Sequence, residues 1–461
     1  MMYDGFIHVS DGSIPFHYDD GDLELIFGGS LASIENGTSV IVGQRRGVFA
    51  GGWMKFHLTF PIENYGTLKT KDETGALKEV PISIGTLHQE VDYYIDGYEE
   101  GAKYTKMHFS FPELDYIIPS ASVCDVNPDE RTIRFTSNVT VIKSFLFEYK
   151  SRQITFALEI LSDYKGGIKR TTQTVSRLTL QFEETDDLEF ILSLYYNIGF
   201  FFSFLCNRRN IAFDSVSLIG THTLKGHKKP GAGTIEDRVF PVSCTLYVPE
   251  KYKDAPEEQK VIEKTIRYGV FASAINELFA MILEDKVSIQ SIHSSRAARN
   301  LLDLKQCLHI TAAFEYYQRN FLPKISSLET MEVYNEVKAL VEEYAKAQSG
   351  KKKEKAKRLA KSLSPEISLQ DKICKVYDEY DIWQSLKPVL SEFFGGDISE
   401  LAGVANEWRN ELAHEKREFE PTLDVISAMR LMEHLNYCIV LRQAGYSDDE
   451  MKAIVNEILA R

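Results

Sequence analysis

Two periodicities divide the chain. In Lys55-Phe56-His57-Leu58-Thr59-Phe60 every second residue is apolar, the pattern of a strand with one wet face. Residues 40–42, 53–60, 106–111, 132–135, 139–147 and 153–160 are similarly short and rich in β-branched and aromatic side chains. Gly, Asp and Asn clusters at 72–75, 96–101 and 127–129 separate them. Further strands are predicted over 167–182, 211–219 and 238–248, and the Gly- and Pro-bearing segment 225–234 reads as a loop. One apolar helix interrupts the series near 186–206.

The period changes near Pro249. From Glu257 onwards apolar residues recur at helical spacing among strong helix formers. Helices are predicted near 257–284, 289–320, 328–348, 366–380, 384–394, 398–416, 421–444 and 447–460. Gly395-Gly396 marks one break, and Pro421 opens the next helix near its first turn. No internal repeat is visible. The expected fold class is α+β: a β-rich, sandwich-like N-terminal domain over 1–250 and an all-α domain over 257–461.

With 461 residues, 44% hydrophobic and 26% charged, the chain is long enough for two globular cores. Residues 190–206 form its most membrane-like stretch. Ser193, Asn197, Gly199 and Ser203 interrupt it, acidic residues precede it, and Arg208 and Arg209 follow it. That polarity suits a buried helix capped near Thr185 better than a span. The first residues lack a basic patch followed by an apolar run, so a cytoplasmic protein without membrane attachment is expected.

Six cysteines stand far apart, with no metal-ligand spacing among them, so neither a metal nor a cofactor is expected. The net charge of −14 argues against broad coating by nucleic acid and confines any RNA contact to a local patch. The basic run Lys351-Lys352-Lys353-Glu354-Lys355-Ala356-Lys357-Arg358 is such a patch. A solvated helix or a disordered insertion accounts for it equally well.

The chemistry concentrates in Trp408-Arg409-Asn410-Glu411-Leu412-Ala413-His414. RNA cleavage needs a base for the 2′-hydroxyl proton, an acid for the 5′-oxygen and positive charge beside the phosphate. Histidine, with an ordinary pKa near ~6.5, serves as base or acid near neutrality. Arginine is permanently charged and grips phosphate oxygens in a fork. Such a pair needs no metal. On a continuous helix Asn410 and His414 share a face at i,i+4, whereas Arg409 points elsewhere, so one chain presents an incomplete site. His309 and His434 lie on amphipathic helices and are predicted to be packed or exposed rather than catalytic.

Arg-Asn-x-x-x-His resembles the signature of HEPN ribonucleases, helical-bundle domains of toxins, RNA-processing enzymes and phage-defence systems. Upstream, Ser295-Arg296-Ala297-Ala298-Arg299-Asn300 leading into residues 305–315 is similar to the first bundle helix of ApeA-like HEPN domains. There Glu315 is the polar residue expected to face the site. The resemblance implies homodimers or higher homo-oligomers whose motifs meet across an interface. It also implies action on RNA in abortive infection, with tRNA anticodon loops as targets and a phage component as trigger.

In that picture His414 is general base or acid, Arg409 binds the scissile phosphate, and Asn410 orients His414 or the phosphate. Glu315 tunes the histidine or holds the arginine. The competing expectation is a non-catalytic HEPN-like module that binds RNA or protein.

Overall fold

The computed structural model describes residues 2–9, 12–19, 22–28, 38–42, 45–50, 56–58, 63–71, 77–90, 93–98, 101–118, 124–127, 132–135, 139–165, 171–225, 237–248, 265–300, 302–322, 328–363, 367–379, 397–413 and 421–458. The chain divides into two compact units. One comprises Met1–Tyr196 with Asn210–Ala255, and the other comprises Asn197–Arg209 with Pro256–Arg461. An N-terminal antiparallel sheet followed by a helical region makes the fold α+β.

The β-rich unit contains β1 (Met2–Val9), β2 (Gly12–Asp19), β3 (Asp22–Gly28), β4 (Thr38–Val42), β5 (Arg45–Ala50), β6 (Phe56–Leu58), β7 (Glu63–Lys71), β8 (Leu77–Glu90) and β9 (Tyr93–Asp96). After β10 (Lys103–Ser110) comes the short helix α1 (Pro112–Ile117). A small hairpin follows, β11 (Cys124–Asn127) with β12 (Thr132–Phe135). The long strands are β13 (Val139–Tyr149), β14 (Arg152–Lys165), β15 (Thr171–Thr185), β16 (Ser215–Leu224) and β17 (Arg238–Tyr247). Hydrogen bonding joins the main strands in one antiparallel path, β13-β14-β15-β10-β16-β17-β9-β5-β4-β1-β2-β3-β8-β6, with β7 also on β8.

Register explains the core. Phe156, Leu180, Met107, Leu218 and Cys244 stand opposite one another on neighbouring strands, and all are buried. Because side chains alternate, the next row, Ala157, Thr179, His108 and Ser217, belongs to the other face. Phe109, Phe111 and Tyr195 enclose Phe213 with ring centroids 5.0–5.1 Å apart. Phe109 and Phe111, which are fully buried, each contribute roughly 1.5–3 kcal/mol.

Helix α2 (Leu188–Cys206) starts where Asp187 Oδ1 accepts from the Phe190 amide at 3.0 Å, just after Thr185. Its length and composition would allow a membrane span, and half of its most apolar window is buried. Its second half belongs to the helical unit. There Phe204 stacks on Tyr437, Phe201 meets Phe279 edge-on, and Tyr437 donates to the Phe204 carbonyl at 2.9 Å.

The helical unit continues with α3 (Tyr268–Phe271), α4 (Ile275–Leu283), α5 (Arg296–Asn300), α6 (Leu304–Phe321), α7 (Leu328–Ala347), α8 (Gly350–Ser362), α9 (Leu369–Glu379), α10 (Ile398–Ala413), α11 (Leu423–Gln443) and α12 (Asp448–Ile458). Two expectations are corrected. The continuous helix over 289–320 is broken into a 3-10 turn at Ile289–Ser291, α5 and α6, because the Asp303 carboxylate caps α6 by accepting from the Gln306 amide at 2.6 Å. The helix over 257–284 is likewise two short helices joined by the 3-10 turn Ala272–Ala274, and 257–264 lie outside the described residues. Residues 350–362, which fell between two predicted helices, are α8. The predicted helix at 384–394 and most of the 225–234 loop also lie outside the described residues.

Candidate active site

Two helices bring the candidate residues together. On α10, Leu401, Ala402, Ala405 and Trp408 are buried, a spacing that turns one stripe of the helix into the bundle. On α6, Cys307, Ile310, Ala313, Phe314 and Tyr317 do the same. Burial pushes the Cys307 thiol up to about 12. Glu315 and Arg409, each next to a buried stripe, then meet between the two helices. Arg409 Nη2 lies 3.5 Å from Glu315 Oε1, and Arg409 Nη1 donates to Asn410 Oδ1 at 3.2 Å.

Exposure decides what this pair can do. The Arg409 side chain keeps 40% of its accessible surface and Glu315 24%. An ion pair that wet, at 3.5 Å, contributes at most about 1 kcal/mol to the fold. The guanidinium is therefore held in place without being committed, and an incoming phosphate can compete for it. Glu315, Arg409 and Asn410 are thus close in one chain. His414 lies outside the described residues.

The basic run forms α8. Lys351, Lys352, Lys355, Lys357 and Arg358 are exposed and Lys353 half-buried, while Ala356 and Ala360 are buried. The run is a helix with a solvated basic face.

A second charged cluster was not singled out from the sequence. His293 pairs with Glu433, whose other oxygen lies 3.5 Å from Arg299. Arg430 donates to the Arg299 carbonyl at 3.3 Å, and His434 Nδ1 donates to the Arg430 carbonyl at 2.7 Å. Burial alone would raise the Glu433 pKa, but His293, Arg299 and Arg430 outweigh it and hold the carboxyl down to about 2. Burial pushes His434 down to about 4, so its ring is neutral at pH 7. The available signal was the composition of α11: Arg430, Glu433 and His434 sit among Leu431, Met432 and Leu435, a stretch too apolar all round to leave its charges wet.

An α+β protein with a helical bundle presenting an exposed arginine beside a glutamate is the class so defined. Residues 308–450 match the Apea-like HEPN family model, a range holding Glu315, Arg409, Asn410 and His414. The helical unit therefore holds an Apea-like HEPN domain. Neither the curated proteins nor the solved structures yield a match.

Proposed function

We propose that the chain is a metal-independent endoribonuclease of the HEPN type, cytoplasmic, acting in anti-phage defence by abortive infection. Its substrate is single-stranded or loop RNA, because an unstacked nucleotide lets the 2′-hydroxyl move in line with the scissile phosphate. The resemblance to ApeA-like domains points to tRNA anticodon loops, and to a phage component that acts as the trigger.

The observation that carries this reading is the half-exposed Arg409, held 3.5 Å from Glu315 within the matched family range. In the mechanism, Arg409 exchanges Glu315 for phosphate oxygens and stabilises their charge as it builds in the transition state. His414 removes the 2′-hydroxyl proton or protonates the leaving 5′-oxygen, a role worth about 10²–10⁴ in rate. Asn410 keeps the guanidinium or the phosphate in register. The products are a 2′,3′-cyclic phosphate and a 5′-hydroxyl.

A homodimer supplies the second motif, since both acid and base are needed at one phosphodiester. The basic face of α8, Lys351, Lys352, Lys353, Lys355, Lys357 and Arg358, guides RNA electrostatically despite the acidic chain.

The test compares wild type with His414→Ala and Arg409→Ala expressed with and without phage challenge, mapping RNA ends that carry 2′,3′-cyclic phosphates. Cleavage is expected only in wild type. Identical end maps in all three would leave a non-catalytic RNA- or protein-binding module instead. Loss of cleavage on adding a chelator would contradict metal independence.

A further inference from the structure

The face of the sheet opposite the core carries a hollow of mixed lining within the β-rich unit. A cavity of about 360 Å³ opens there, bordered by His108, Ser110, Leu161, Val175, Arg177 and Ser217. Its walls are cross-strand neighbours: Leu161 stands opposite Val175, His108 opposite Ser217, and Ser110 opposite Ser215, which also borders it. The hollow is thus built by register, on strands whose other face is the buried core. Its volume falls at the lower end of the range for small-molecule sites.

Three chemical zones follow. Leu161 and Val175 make an apolar wall. The hydroxyls of Ser110, Ser215 and Ser217 make a second zone of adaptable donors and acceptors. Arg177 and His108 make the third. Glu159 Oε2 accepts from Arg177 Nε at 2.9 Å and Nη2 at 2.7 Å, and from Thr179 Oγ1 at 2.7 Å. That grip fixes the plane of the guanidinium.

Burial first, then Arg177, pushes the His108 pKa down to about 4 against the weaker opposing pull of Glu159; Lys106 lowers it further. The ring is neutral at pH 7 and can donate or accept.

We propose that this hollow binds a nucleoside monophosphate, with phosphoryl oxygens at Arg177 and His108, ribose hydroxyls at the three serines, and the base against Leu161 and Val175. An apolar wall, a row of hydroxyls and an end holding an arginine and a histidine, in a space of this size, match the three parts of such a ligand together. Inorganic phosphate satisfies one zone and a nucleoside the other two. The site stands apart from the ribonuclease reading and does not depend on it.

Titration calorimetry on the full-length chain tests this with AMP, GMP, CMP and UMP in turn, and with inorganic phosphate and adenosine as separate arms. At least one monophosphate binds in the micromolar range, and phosphate and adenosine bind at least about tenfold more weakly. Arg177→Gln weakens binding about 10–100-fold, the usual cost of a lost charged hydrogen bond. Because that change strips Glu159 of its charged partner, Ser217→Val serves as the second variant. It narrows the hollow, leaves the ion pair intact, and is expected to weaken binding by a similar factor while the melting temperature holds. The proposal is overturned if none of the four monophosphates binds at 1 mM, if phosphate alone binds as tightly, or if Ser217→Val leaves the affinity unchanged.

Discussion

Among its described residues the helical unit holds two arginine–glutamate pairs of equal length in opposite surroundings. Arg299 Nε lies 3.5 Å from Glu433 Oε2, and Arg409 Nη2 lies 3.5 Å from Glu315 Oε1. The side chains of the first pair are 3% and 7% exposed, those of the second 40% and 24%. In the first pair, burial multiplies the charge interaction and makes each partner indispensable to the other. In the second, water screens the interaction, so the fold hardly depends on it and the arginine stays available. Identical residue types at identical distance thus do structural work in one place and leave chemistry open in the other. Burial, rather than contact, separates the two roles.

The sharpest way to break the comparison is Glu433→Gln. It leaves Arg299, Arg430 and His293 without their counter-charge in a dry site, and should cost about 3–5 kcal/mol in denaturant melts. A loss under about 1 kcal/mol would mean that water reaches the cluster and that the two pairs do not differ.

Next in size is an acid effect. The folded pKa of His434 is depressed to about 4 from an ordinary 6.5. Between those values the unfolded chain binds a proton that the folded chain refuses, so stability is intact above about pH 6.5 and is lost as pH falls towards 4. Glu433, held at about 2, continues the loss below its ordinary carboxylate range. His434→Asn removes the first phase, by roughly 1–3 kcal/mol between pH 7 and 4. An unchanged pH profile in that variant would assign the acid sensitivity to other groups.

The contrast also shows what the amino-acid order discloses. The switch from period two to helical spacing near Pro249 was legible because burial of one face imposes it along every element. The partnership of Arg409 with Glu315 was implied by the family resemblance, each residue lying on a helix whose apolar stripe dictates its outward side. The break at Asp303 was missed although Asp303-Leu304-Lys305-Gln306 has the Asp-x-x-Gln spacing of a helix start; the strong apolar period on either side concealed it. The Glu433 cluster was illegible for a different reason. His293, Arg299 and Glu433 meet from segments 134–140 positions apart, and no local pattern records such a meeting. Nor does composition disclose that Asn197–Arg209, the end of an apolar helix and its exit, completes the core of the helical unit through Phe201, Phe204 and Tyr437.

The smallest stability effect tests the exposed pair, and there the two observables should part company. Glu315→Gln removes the carboxylate beside Arg409 while keeping its shape. Because the pair is wet, the melting midpoint should move by less than about 1 kcal/mol. If Arg409 receives the phosphate as proposed, removing the negative charge beside it should at the same time tighten RNA binding without making its salt dependence shallower, as loss of a lysine would. If Glu315 serves only to hold Arg409 at rest, the variant cleaves at least as fast as wild type with its pH–rate profile unchanged. If it tunes His414, the acid limb of that profile shifts to lower pH, because a nearby carboxylate favours the imidazolium and its loss lowers the histidine pKa. A variant that melts several kcal/mol earlier, with cleavage lost in proportion, would instead place Glu315 alongside Glu433 as a structural charge, and the distinction between the two pairs would fail.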